Sequence, residues 1–177
     1  QEEGEAILTT VLFDHQVEVL HDRIPVKSVQ NITEKEYYVR GSTSLLDAIG
    51  SAIDKIGNVQ KMTNEADRAD KVLVVITTDG LENSSRKYSY KRIKQMIEHQ
   101  KRKYNWEFIF MGANMDAIEM ASQFGIGADR AVNFHSDKKG TQLNYESMSK
   151  VVSHLRSNQN LDEDWKKEIE EDYKNRQ

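Results

Sequence analysis

Cysteine is absent from the 177 residues. That excludes a disulfide framework, a thiol nucleophile and thiolate metal ligands, and it fits a reducing cytoplasm, the compartment expected here. There is one proline, Pro25, and nine glycines, too few for a linker, collagen-like or low-complexity chain. Long apolar runs are also lacking. The longest, Val72-Leu73-Val74-Val75-Ile76, has the length of a strand and falls far short of the ~18 residues of a membrane span. Positive charge is in deficit: 25 Lys and Arg stand against 29 Asp and Glu, a net charge of -4, which argues against a nucleic-acid binder working through a basic face. The local basic cluster Arg86-Lys87 with Lys91, Arg92 and Lys94 reads as a solvated helix face. Neither a phosphate loop ending in Gly-Lys-Ser/Thr nor a Gly-x-Ser-x-Gly elbow occurs. The five histidines show no metal-ligand spacing. Gly125-Ile126-Gly127 lacks the third glycine of a dinucleotide loop and follows a helical pattern rather than a strand.

What is present is an alternation of strand and helix signals on a chain sized for one core. Two β-rich runs, 6–13 and 17–21, flank Asp14-His15-Gln16, the pattern of a hairpin that makes one edge strand antiparallel. Over 44–56, Leu45, Leu46, Ile49, Ala52, Ile53 and Ile56 share one helical face. A polar loop with a helical turn spans 57–70, and the apolar run over 72–78 reads as a buried central strand. Tyr90, Ile93, Ile97 and Tyr104 predict a helix over 88–104. A strand over 106–112, a helix over 116–124 stopped by Gly125, a strand over 131–134 and a helix over 143–155 complete the series. The expected class is α/β: a Rossmann-like, doubly wound, mostly parallel sheet with one antiparallel edge strand and helices on both faces. The domain is expected over 1–158, with 159–177 a charged helix or tail appended to the core.

Ligands of open α/β sheets gather at the carboxyl ends of the strands. Three segments belong there: Gly41-Ser42-Thr43-Ser44, Asp79-Gly80-Leu81-Glu82-Asn83 and Gly112-Ala113-Asn114-Met115-Asp116. The first opens a helix and aims hydroxyls and backbone N–H groups at the rim. Oxygen donors meeting from separate loops suit a small hard cation such as Mg2+.

The Gly-Ser-Thr-Ser turn and Thr77-Thr78-Asp79-Gly80 resemble the von Willebrand factor type A (vWA) family, bacterial cytoplasmic-type members above all, over roughly residues 5–156. The metal-ion-dependent adhesion site (MIDAS) of that family joins an Asp-x-Ser-x-Ser after the first strand, a Thr in a Gly-x-Thr turn and an Asp in a Thr-Asp-Gly. Thr43 and Asp79 match the second and third pieces. The first is missing, because Ser42-x-Ser44 and Ser84-Ser85 lack both the Asp and the preceding strand. Gln1-Glu2-Glu3-Gly4-Glu5 reads as the polar end of a helix with a Gly terminator, so a strand and helix carrying that piece are expected upstream, within about 20 to 35 residues at average element lengths. By resemblance, Thr43 lends its hydroxyl to Mg2+ or Mn2+ and Asp79 approaches the ion, often through water. The upstream ligands supply most of the anchoring, and an acidic side chain of another protein completes the shell.

The remaining rim residues carry competing readings. Gly41, Ser42 and Gly80 shape the two loops. Asp47 either supports the rim or complements the helix dipole one turn into the helix. Asn83 holds the Asp79 loop by side-chain to backbone bonds. Asn114 and Asp116 line the rim, but Asp116 reads more strongly as a helix N-cap. With hydroxyl donors and no general base or nucleophile in view, a non-enzymatic, metal-dependent protein-binding module leads. A metal-independent scaffold with a degenerate site is the alternative. A Mg2+-dependent hydrolase or phosphotransferase is the third reading, and Asp79 is the only strand-end acid it could use. Neither nucleic acid nor a membrane is an expected partner.

Overall fold

A computed structural model describes residues 4–33, 41–157 and 159–176. The reading of Gln1-Glu2-Glu3 as a helix end falls outside them. The chain is α/β with two separate sheets. Strands β1 (Ile7–Phe13) and β2 (Val17–Pro25) form the expected antiparallel hairpin. Its turn closes through Asp14, whose N–H donates to the Gln16 carbonyl at 2.9 Å and whose Oδ1 accepts from the Gln16 N–H at 2.6 Å. Helix α1 (Leu45–Met62) follows, then β3 (Leu73–Thr78), α2 (Tyr90–Tyr104), β4 (Glu107–Gly112), α3 (Ala117–Gln123), β5 (Ala131–Asn133), α4 (Lys138–Arg156) and α5 (Lys167–Asn175). β3, β4 and β5 form a parallel sheet in that spatial order.

Helices cover both faces of this sheet, and β4 shows why. Its side chains alternate, as a strand's must: Phe108 and Phe110 enter one core with Leu45, Ile49 and Ile53 of α1, Ile93 and Ile97 of α2, and Ala117 and Ala121 of α3. Ile109 and Met111 enter a second core with Val151 of α4 and, beyond it, Leu161, Trp165 and Ile169. A strand enclosed on both faces reads as an unbroken apolar run, which is how Phe108 to Met111 is written.

Four expectations are corrected. Among the described strands the one over 72–78 is not central: β4 is the middle strand, while β3 bonds one described neighbour and leaves Val75 38 % exposed. Apolar composition reports burial potential and not position within a sheet. The segment 159–177 is not an appendage. Leu161, ahead of a short 3-10 turn over Glu163–Lys166, Trp165 within that turn and Ile169 of α5 are all buried in the second core beneath the charged residues around them. Trp165 Nε1 donates to the Asp129 carbonyl at 2.9 Å, and Lys166 Nζ donates to the carbonyls of Ala128 and Ala131 at 2.7 and 3.1 Å. The helices also run longer than their apolar stripes: α1 continues through Gly57 to Met62, and α4 begins at Lys138 behind the Asp137 cap, whose Oδ1 accepts from the Gly140 N–H at 2.8 Å. Tyr104, counted on the buried face of α2, is exposed, and Met96 is buried instead. Among the described residues no helix is long and apolar enough to cross a membrane.

Candidate functional site

The turn at Thr43 and the loop at Asp79–Ser85 are bonded to each other along their length. The Thr43 N–H donates to Asn83 Oδ1 at 2.9 Å. In return, the Thr43 carbonyl accepts from the N–H groups of Asn83 and Ser84 at 3.1 and 3.3 Å. A Cβ placed on Gly80 would sit 2.9 Å from Thr43 Oγ1, so only glycine lets the residue after Asp79 come this close to the threonine hydroxyl. Asn83 thus holds the loop as its turn chemistry predicts.

Two carboxylates fix this arrangement. Asp47, in the first turn of α1, accepts from the backbone N–H groups of Arg86, Lys87 and Tyr88, each at 2.9 Å. Burial alone would raise its carboxyl pKa, but these three donors outweigh that and hold it below the ordinary carboxylate value. Glu82 reaches the other way. Its Oε2 accepts from the Leu46 N–H at 2.9 Å and from Ser85 Oγ at 2.8 Å, and its Oε1 accepts from the N–H groups of Ser84 and Ser85. Ser85 Oγ takes the Asp47 N–H at 3.0 Å, and Ser44 Oγ lies 2.9 Å from Ser84 Oγ. The Leu46 and Asp47 N–H groups in the first turn of α1 are therefore spent on the 80s loop. Tyr88 seals the lower side. Its hydroxyl donates to Asp54 Oδ2 at 2.6 Å, and its ring lies so close to α1 that a Cβ on Gly50 would meet it at 2.6 Å.

Asp79 stands apart from these ties. It is exposed, and no described residue bonds its carboxylate; only its carbonyl is engaged, by Asn114 Nδ2 at 3.4 Å. Asn114 reaches it from a left-handed conformation (φ 58°), which asparagine tolerates better than most residues. Asp116 is a cap: its Oδ1 accepts from the N–H groups of Ile118 and Glu119 at 3.1 and 2.9 Å. Gly41 is exposed and Ser42 half-buried at the start of the turn. The structure thus groups Thr43, Asp79, Gly80, Asn83 and Asn114, with Asp47 beneath them as a brace and Asp116 turned to α3.

Two residues to which the sequence reading gave no role at the rim matter here. Glu82 is the hub of the 80s loop, and an acid followed by Ser84-Ser85 in a turn was the available signal. Asp14 ends β1, and its carbonyl accepts from the Ser44 N–H at 2.6 Å, which joins the hairpin to the rim. The signal was again an apolar strand ending in an acid.

For a cation, the donor set fits in kind but is small in number. A hydroxyl and a carboxylate are hard oxygen ligands suited to Mg2+, which keeps several waters. Among the described residues no three His, Asp or Glu side chains gather to hold a metal by themselves. No family model, curated protein or solved structure matches the chain. The site's chemistry therefore rests on its own residues.

Proposed function

We propose that this chain is a non-catalytic, metal-dependent protein-binding module of the vWA kind, with a MIDAS-type Mg2+ or Mn2+ site at the Thr43–Asp79 rim. The observation that carries the reading is a division of labour among acids. Asp47 and Glu82 are consumed by backbone N–H groups in bracing the two loops, while the carboxylate of Asp79, whose neighbour Gly80 abuts the Thr43 hydroxyl, is exposed and bonded by no described residue. Thr43 and Asp79 would hold the ion, Asn83, Asn114 and Asp47 would position their loops, and the ion would supply a Lewis-acidic position for a partner's carboxylate. With two protein donors the affinity of the 177-residue chain alone is weak, roughly millimolar, the scale of cation sites with few charged ligands.

Mn2+ titrated into isotope-labelled protein should broaden the amide signals of residues 41–44 and Gly80 before others, and Mg2+ should compete. Asp79→Ala should remove the effect and leave the fold intact. Identical broadening in that variant would sink the metal reading. The commitment of Asp47 and Glu82 to structure favours a metal-independent scaffold in that event, because the same bracing would then serve only to shape the rim.

A further inference from the structure

Positive charge is scarce in this chain and gathered in one place. Residues 86–103 carry eight Lys and Arg against a single acid, Glu98, so of the 25 Lys and Arg and 29 Asp and Glu in the whole chain the other residues hold 17 against 28. All eight side chains are exposed, on α2 or just ahead of it. Elsewhere cations meet carboxylates of their own chain, as Lys55 meets Asp22, Arg130 meets Glu107 and Lys150 meets Glu168. On α2, Lys94 pairs with Glu98 at 4.0 Å and Lys101 Nζ donates to the Gly125 carbonyl at 3.1 Å. Arg86, Lys91, Arg92 and Arg102 meet no carboxylate among the described residues.

Local helix chemistry does not require these charges. The first backbone N–H groups make the start of a helix its positive end, where acids are favoured and cations disfavoured. α1, α3 and α5 follow that rule with Asp47, Glu119 and Glu168 in their first turns, whereas α2 has no acid there and carries Lys91 and Arg92 instead. Arg92 is also the residue whose N–H donates to the Ser89 capping hydroxyl at 3.3 Å, the position from which Glu or Gln would reach back to complete a capping box. Lys101, Arg102 and Lys103, in the last turn, suit the dipole, so the cations at the start carry the argument. A local rule broken with no compensating contact inside the chain points to a role outside it.

We propose that the outer face of α2, from Arg86 to Lys103, docks an acidic segment of another protein. Lys91 and Arg102 are eleven residues apart and so lie nearly on one line of the helix, about 16 Å from each other, and Arg92 and Lys103 repeat that spacing. Cations at that separation match carboxylates spread over about five residues of extended chain. Nucleic acid fits less well. Tyr104 has Lys103 over its ring and His99 at its edge, Tyr88 has Lys87 over its ring, and Tyr90 stacks on Phe124, so these rings are already engaged and offer no open platform to bases. A long polyanion would also run onto the acidic remainder of the chain. A membrane fits less well too, because the apolar stripe of Ile93, Met96 and Ile97 is buried in the core. The proposal does not rest on the metal reading of the rim.

The probe is a fluorophore-labelled peptide of alternating Glu and Ser, with a Gln and Ser peptide of the same length as control. Anisotropy with the full chain should show binding of the acidic peptide alone, weakening by more than about tenfold as salt rises from about 50 to about 250 mM, since exposed pairs are screened. Amide shifts in isotope-labelled protein should fall on residues 86–103. Lys91→Glu combined with Arg92→Glu should weaken binding by more than about tenfold with Tm equal or higher, because both changes favour the helix start. A lower Tm would make the two cations structural and overturn the proposal. So would undiminished binding by the double variant, or no binding by the unaltered chain. Tighter binding of an oligothymidylate of the same charge would overturn it in favour of nucleic acid. Salt-sensitive self-association that the double variant loses would overturn it in favour of a second copy.

Discussion

The parallel sheet and the hairpin are written in similar residues, yet they reach different degrees of enclosure. Every residue of β4 after Glu107 is buried, and its two sets of side chains enter separate cores. No residue of β1 or β2 is fully buried, although β1 contains Ile7, Leu8, Val11, Leu12 and Phe13. The difference lies in neighbours and not in composition. β4 has a bonded strand on each side and helices on each face, whereas β1 has one bonded strand and an open groove. Apolar side chains stabilise a fold only to the extent that something removes them from water.

The largest expected effect tests the closed side. Phe110→Ala empties a fully buried position between α1, α3 and Phe124 and should cost about 3–5 kcal/mol, read as a drop in the urea midpoint with an unchanged slope. Next comes the rim that closes the top of this sheet. Asp47→Ala strips the shared acceptor from three backbone N–H groups, two of them on exposed residues that water can reach, and should cost about 1–2 kcal/mol. The same denaturation series measures it, with hydrogen exchange localising the loss to residues 85–88.

On the open side, Val11→Ala should cost less than about 1 kcal/mol, because the side chain is only half-buried. A cost matching that of Phe110→Ala would break the comparison, since it would mean that the hairpin is enclosed as tightly as β4. The smallest effect concerns the α5 latch over the second core. Arg176 bonds Asp137 and Asp172, and this ion pair, with the Gly140 N–H, lowers the Asp137 carboxyl from 3.8 to about 2. A depressed folded-state pKa stabilises the protein above the unfolded value and loses that contribution as pH falls through the folded one. Urea midpoints should therefore decline between about pH 4 and about pH 2, and Asp137→Asn should flatten that part of the curve. An identical slope in the variant would remove Asp137 from the latch.

Much of this was legible one segment at a time. The hairpin around Asp14, the stripe of α1, the apolar β4 and the cap at Asp116 each depend on contacts within a few residues, where periodicity and turn chemistry act directly. The segment 159–177 was read as a charged helix or tail appended to the core because its charges outnumber its apolar residues, although Leu161, Trp165 and Ile169 are spaced four apart and prove to be buried. At the rim, Thr43 and Asp79 could be named from their loops. The role of Glu82 could not, because it binds the Leu46 backbone 36 residues away along the chain, and for Asp47 the sequence left rim support and the helix dipole as alternatives, because the backbone it binds lies 39 or more residues away.

The sequence alone determined the strands, the helices and the residue types offered at the carboxyl rim, since local sterics, caps and side-chain period are properties of neighbouring residues. Only the tertiary structure decided that β4 lies between β3 and β5, that Asp47 and Glu82 are spent on bracing while Asp79 is left outward, and that β1 and β3 face each other across a groove. Those outcomes depend on which distant surfaces meet, and long-range packing and hydrogen bonding settle that only once the whole chain has folded.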